Sequence, residues 1–417
     1  MAFIKLADYN HIISLNIAGP VRLFKLDGLL MFTFCYILFT TYYSVIQNPV
    51  IGHLVLSIEP LTTMVSKGIL MSPPLDHQLS DWRNHALKLE NEVKKVIVGQ
   101  DKAIRLMNIA IFARGHVLLE GGVGVGKTTL LQSIARCIGG AYERIEGTVD
   151  LMPNDLIYHT YLGEDGRPKI DEGPLLRAGE NLSVFFFNEI NRARPQVHAL
   201  MLRVMAERHI NAFKKEYRLP HMVVFADRNQ VEKNETFEIP SAARDRFMME
   251  IPIEIPEDRE LRKSLMFNVK FQHAENLTKQ VESNVLQFDQ LNEFSDTLQS
   301  HIKASPTLED YAIDLWESTQ SPSKFGIKMD SVDVNRLVHT GASPRGMGML
   351  LKAARVNAWL MNRDSLYPED IHAVFHELIA HRLVFNSMYE NRRTQLAREF
   401  TTQILNTVAV PAQAKAA

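Results

Sequence analysis

Eight residues limit what this chain can fold into more than any others. Gly121-Gly-Val-Gly-Val-Gly-Lys-Thr128 fits G-x-x-x-x-G-K-[ST] and directly follows the apolar run Val117-Leu118-Leu119. A short buried strand, a glycine-rich turn and a helix from Lys127 to about Cys137 form one step of an alternating strand and helix pattern. Val184–Phe187 and Met222–Phe225 are two more short apolar runs of the kind that parallel sheets bury on both faces. The fold predicted is α/β, a three-layer core around a parallel sheet. After Pro256 such runs cease, and the sequence reads as helices joined by polar loops.

The turn also carries chemistry. Glycines let successive backbone N–H groups turn inward around phosphate oxygens, at the positive end of the following helix. Gly121, Gly122, Val123, Gly124, Val125 and Gly126 would form this cradle, with Lys127, Thr128 and Thr129 opening the helix. Lys127 can reach the β- and γ-phosphates of ATP, and the Thr128 hydroxyl can bind Mg²⁺. Glu189 is the one carboxylate at the tip of the Val184–Phe187 strand, where it could orient and polarise an attacking water.

Composition excludes other classes. Hydrophobic residues make up 46% and charged residues 23%, which is globular composition for a chain of 417 residues and two or three domains. Lys plus Arg number 46 against 48 acids, net −2, so no basic field points to nucleic acid. Cys35 and Cys137 are too few for a disulfide framework or a cysteine-ligated zinc site. His372 and His376 are four apart on a predicted helix, but no third ligand accompanies them, so a solvated helix face is expected.

The first 70 residues differ from the rest. Gly28–Ile58 contains no charged residue, and 29–46 is nearly all apolar or aromatic, close to the length of a membrane span. Lys5, Arg22 and Lys25 precede it, which by the positive-inside tendency would place the nucleotide site on the wrong side of a membrane. A buried hairpin, or a working protein that starts at Met71, is the competing expectation. The domain plan is an apolar extension over 1–75, a nucleotide-binding core over 76–256, a helical lid over 257–407 and a disordered tail over 408–417.

Several further segments resemble the MoxR branch of the AAA+ ATPases, over roughly 93–395. Val96–Ile104 is similar to the family's opening segment, and Arg114–Gly121 to its first strand. Asn188–Arg192 with Gln196, Leu200, Glu207 and Arg208 resembles its second nucleotide motif. Asn229, Pro240, Ala242 and Asp245-Arg246-Phe247 match the end of the same block, while Gly341–Arg345, Pro368–Ile371 and His381-Arg382 resemble its lid. The resemblance implies that the backbone at Val98 and Gly99 holds adenine and that Asn229 contacts the γ-phosphate. It also implies that Arg246, with Arg244 in reserve, reaches a neighbouring subunit's nucleotide, and that Arg345 is the lid's sensor. Ser343-Pro344 independently reads as the cap of a helix that exposes Arg345 in its first turn.

The implied function is ATP-driven, chaperone-like remodelling or maturation of a client, such as metal or cofactor insertion. A homo-hexamer and a von Willebrand factor A-type partner are implied with it. Cytoplasmic work is expected, membrane-associated if 29–46 is an anchor. Three departures bear on the hydrolysis rate. Val123 replaces a usual Pro, Asn188 replaces the usual Asp in the outer shell of Mg²⁺, and 227–235 keep only Asn229 and Glu232 of the sensor loop. A nucleotide-gated scaffold of negligible turnover is therefore the main alternative, and a DNA-remodelling relative the lesser one.

Overall fold

The computed structural model describes residues 3–6, 12–16, 22–25, 75–229, 236–272, 274–330 and 332–411. The apolar segment 29–46 and the tail from 412 lie outside them, as do 230–235 of the sensor loop. Among the described residues, no helix is long and apolar enough to cross a membrane. Within 1–74, β1 (Phe3–Leu6), β2 (Ile12–Asn16) and β3 (Arg22–Lys25) form an antiparallel sheet.

The unit over 75–417 opens with α1 (Leu75–Lys94) and α2 (Asp101–Phe112). There follow β4 (His116–Gly121), α3 (Lys127–Ile138), β5 (Ala141–Glu146) and a hairpin of β6 (Tyr158–Leu162) with β7 (Pro168–Glu172). Next come β8 (Leu182–Asn188), α4 (Pro195–Glu207), a second hairpin of β9 (His209–Ala212) with β10 (Lys215–Arg218), β11 (Val223–Arg228) and β12 (Phe247–Ile253). Five strands form one sheet in the order β12-β4-β11-β8-β5, every neighbouring pair parallel.

Alternation along these apolar runs builds the three layers. Val184 and Phe186 pack with Ile104 of α2 and Leu130 and Ile134 of α3, whereas Phe185 and Phe187 pack with Val197, Met201 and Val204 of α4. The connections carry the chain from β4 out to the edge at β5 and back, so β11 is inserted between β4 and β8. Asp227 thereby lies opposite Leu119 of β4, and Ala226 opposite Phe187 of β8. That register brings the end of β11 between the phosphate-loop strand and the strand that ends at Glu189.

The helical region after β12, expected from sequence to be the lid, comprises α5 (Arg259–Phe267), α6 (Leu291–His301), α7 (Pro306–Gln320), α8 (Pro344–Leu360), α9 (Pro368–Ile379) and α10 (Arg393–Thr407). It is helical apart from a ladder of β13 (Val338–Thr340) with β14 (Val384–Phe385), strands too short to show alternation in sequence. Ser343 caps α8, its Oγ accepting from Gly346 N–H at 3.1 Å. Helix α1, assigned to the core from sequence, also packs on the lid. Trp82 stacks on Phe294 at 4.8 Å between ring centres, and Trp359 Nε1 donates to Leu79 O at 3.0 Å.

Lid and core meet at Asp245, just before β12. Its carboxylate accepts from Ser343 Oγ at 2.7 Å, Arg345 Nη1 at 3.0 Å and Arg382 Nε at 3.1 Å. Arg382 is buried and donates further to Phe247 O at 2.7 Å and Met248 O at 3.1 Å.

His116 ties β4 to its surroundings in one protonation state. Val224 N–H donates to Nδ1 at 2.9 Å, so the proton is on Nε2, which faces Met205 O at 3.2 Å. Burial and the nearby Arg208 lower its pKa to about 3. A base depressed in the folded state gives stability that is complete above its unfolded value, about 6.5, and drains as pH falls toward 3. Each such imidazole contributes a slope of about 1.4 kcal/mol per pH unit. Urea unfolding at pH 7 and at lower pH should show this component in the parent and not in His116→Gln; identical pH slopes in both would refute it.

Candidate functional site

The site forms at the carboxyl ends of the parallel strands, where open α/β sheets bind ligands. Beyond Gly121 the turn needs left-handed backbone at Gly124 (φ 78°) and Gly126 (φ 89°), which explains glycine at both. Helix α3 begins at Lys127 with no acidic residue in its first turn, so its positive end faces the loop uncompensated. Val123 stands 75% exposed at the tip.

Lys127 is buried with its ammonium turned into the loop. Nζ donates to Gly121 O at 2.7 Å, Gly122 O at 3.0 Å and Asn229 Oδ1 at 2.7 Å. Asn229 Nδ2 in turn donates to Glu189 Oε1 at 2.9 Å. Glu189 Oε2 is held by Arg192 Nε at 3.0 Å. The structure thus brings Lys127, Asn229 and Glu189, three residues singled out from sequence, into one hydrogen-bonded chain.

Asp227 was not singled out from the sequence. Oδ1 accepts from the Glu189 N–H at 2.6 Å, and Oδ2 lies 3.6 Å from Lys127 Nζ. Burial pushes its carboxyl above the usual carboxylate range, against the pull of the Glu189 N–H and the Lys127 charge. Glu189 has left-handed backbone, φ 51° and ψ 48°, uncommon outside glycine. Gly147 leaves room for it. A Cβ there would sit 2.1 Å from Glu189 O, and Gly147 N–H donates to Asn188 O at 2.7 Å. Asn188 donates through Nδ2 to Glu146 Oε2, leaving Oδ1 as its acceptor. No sequence signal marked Asp227, Glu146 or Gly147, because only the strand order brings them to the site.

Gly99 has φ 74° and abuts Pro256, where a Cβ would come within 2.6 Å. With Ala103, Ile251 and Pro252 it lines a cavity of about 420 Å³, closed by His376 and Glu377 of the lid. Ile253 at the end of β12 pairs with Gly121, so this cavity and the phosphate loop share one edge of the sheet.

The arginines are placed differently. Arg345 pairs with Asp245, as described above. Arg246 is half-buried, and its side chain makes no hydrogen bond or ion pair among the described residues. The pKa of Arg244 is pushed down to about 10 by burial and by Arg393, and its Nε makes no hydrogen bond among the described residues. His372 and His376 go to different hydroxyls, Tyr311 at 2.7 Å and Thr401 at 2.8 Å. Lys214, Lys215 and Arg218 belong to the β9–β10 hairpin, whose turn at Phe213-Lys214 has positive φ.

Comparison with known proteins bears on this arrangement. Residues 116–249 match the ATPase family associated with various cellular activities (AAA), and 332–406 match an AAA lid domain. Protein MoxR of Methylorubrum extorquens is 56% identical over 338 residues, 81% of this chain and 98% of the relative. The chain belongs to the MoxR family of AAA ATPases. Protein MoxR of Paracoccus denitrificans is 48% identical over 81% of this chain and 100% of its own length. Chaperone MoxR1 of Mycobacterium tuberculosis is 32% identical over 77% and 81%. A solved structure of a Cytophaga hutchinsonii protein ascribed to the ATPases superposes with a TM-score of 0.70 at 29% identity, over 81% of this chain and 98% of that one.

The family thus agrees with the parallel core and helical lid. Lys127→Ala removes the one ammonium in the phosphate loop and should weaken binding of a fluorescent ATP analogue by about tenfold or more. Unchanged affinity in a folded variant would refute the assignment of Gly121–Thr128 as a phosphate site.

Proposed function

We propose that this chain binds ATP with Mg²⁺ and hydrolyses it to drive chaperone-like remodelling or maturation of a client protein. The observation that carries the proposal is the chain Lys127–Asn229–Glu189, which links a phosphate-binding cation to a carboxylate able to act on water. Gly121, Gly122, Val123, Gly124, Val125 and Gly126 would cradle the phosphates, with Lys127, Thr128 and Thr129 at the positive end of α3. Val98 and Gly99 would hold adenine beside the 420 Å³ cavity.

The residues suit Mg²⁺. Thr128 offers a hydroxyl, while Asn188 Oδ1 and Glu146 provide oxygen acceptors at the adjoining strand tips, the hard-ligand chemistry that this ion takes. Thr128, with Asn188 and Glu146 near it, would hold the ion, which would supply neutralisation of the charge that develops on the phosphates. Glu189 would orient the attacking water and draw its proton, and Asn229 would position the γ-phosphate against Lys127.

Arg246 makes no side-chain hydrogen bond or ion pair among the described residues, which suits a finger that serves a neighbouring subunit. A homo-hexameric ring is proposed on that basis. Arg345, bonded to Asp245 beside Arg246, would act as the lid's sensor at the same junction. The client, a von Willebrand factor A-type partner and cytoplasmic work rest on family resemblance. Chaperone MoxR1, by its name, supports the chaperone-like part. The scaffold reading draws on Asn188, whose amide adds no charge at the strand tip. Net charge of −2 speaks against DNA remodelling.

Glu189→Gln should keep ATP bound while turnover falls, read by nucleotide binding and phosphate release on the same protein. Equal turnover would move the base elsewhere. Arg246→Ala should leave affinity intact and cut turnover, by about 10³-fold or more if it acts as such fingers do. Mixing in Glu189→Gln subunits, which keep Arg246, should restore part of the rate. No rescue at any ratio would argue against action between subunits.

A further inference from the structure

We infer that Asp227 is a positioning residue, fixing both the lysine of the phosphate loop and the backbone of the candidate base. The inference rests on the ATPase reading above and assigns this carboxylate a part in it. Asp227 is the last inward residue of β11, opposite Leu119 on one side and next to the Phe187 pairing on the other. Its side chain is 3% exposed, so it is shut off from bulk water and from any partner outside the site. Both oxygens are committed. Oδ1 accepts from the Glu189 N–H at 2.6 Å, and Oδ2 faces Lys127 Nζ at 3.6 Å.

Each contact corrects a specific instability. Glu189 adopts φ 51°, ψ 48°, a left-handed conformation that persists outside glycine only where surroundings enforce it. The charge-assisted bond from its N–H is that enforcement, and it sets the direction in which the Glu189 side chain leaves the strand. Lys127 is an almost fully buried cation, and a buried charge without a counter-charge is costly. Its other partners, two carbonyls and an amide oxygen, are neutral, so Asp227 is its anion within the site. One carboxylate therefore holds the phosphate-binding and water-activating groups in register. Asn229 links the same two residues through their side chains only.

Asp227→Ala loses the acceptor and the charge. Asp227→Asn keeps an acceptor for the Glu189 N–H, but loses the charge and turns an NH₂ in place of an acceptor toward Lys127. The measurements are hydrogen exchange of the peptide spanning 187–193 without nucleotide, affinity for a fluorescent ATP analogue, and steady-state turnover with excess Mg²⁺. In Asp227→Ala, exchange at 187–193 should rise while peptides from β4 and β12 keep parental protection. Turnover should fall by about 100-fold, the cost of a misplaced group, and analogue affinity should change less than about threefold. Asp227→Asn should restore protection at 187–193 and regain about tenfold of the lost rate.

Parental exchange at 187–193 in Asp227→Ala would overturn the inference, as would an Asn variant no better than Ala in both exchange and turnover. General loss of protection in Ala together with a parental Asn variant would also overturn it, by showing a role confined to stability of the sheet. If the parent binds the analogue but turns over nothing, the ATPase reading fails and the exchange data alone decide the role of Asp227.

Discussion

The insertion of β11 between β4 and β8 is the constraint on which the site depends. Parallel neighbours lie about 4.8 Å apart, so a side chain at the tip of β4 cannot touch one at the tip of β8 directly. The intervening strand bridges that gap with two residues of one short segment, Asp227 and Asn229. Asn229 joins the ends of Lys127 and Glu189, and Asp227 joins the ammonium of Lys127 to the backbone N–H of Glu189. The proposed chemistry draws on two strands, and the topology provides a third between them.

Sequence alone reveals the parts and not their adjacency. The phosphate loop is legible because glycines at 124 and 126 answer a local demand for positive φ, and Lys127 follows from the motif. The continuous apolar runs at 184–187 and 222–225 announce doubly buried strands, since both faces are covered by helices. Glu189 is legible as the carboxylate at a strand tip. Asp227 is not, because its importance arises from which strand lies beside which, a property with no local signature. Gly147 is hidden for the same reason: its need for a missing Cβ comes from the carbonyl of Glu189, 42 positions away on another strand. The roles proposed for Arg246 and Arg345 come from family resemblance, because no pattern in this single chain points to them.

The lid shows how local rules and long-range packing divide the work. Ser305 and Ser343 cap α7 and α8, as their position before proline leads one to expect. The placement of α1 is a tertiary matter. Trp82, Phe112, Phe294 and Trp359 form one aromatic cluster that draws the first helix of the unit against both core and lid. The cavity beside Gly99 has walls from both parts: Gly99 and Ala103 of the opening segment and Ile251 of β12 on one side, His376 and Glu377 of α9 on the other.

The cluster at Asp245 has a kinematic consequence. Ser343, Arg345 and Arg382 grip one carboxylate, and Arg382 reaches on to the carbonyls of Phe247 and Met248. The turn that carries Arg244 and Arg246 is thereby fastened to the start of α8 and to β12 at once. Shifting α8 relative to β12 would have to stretch or break bonds at this one carboxylate. In an assembly where those arginines touched an adjacent copy, the position of the helical region would be felt at that contact through Asp245.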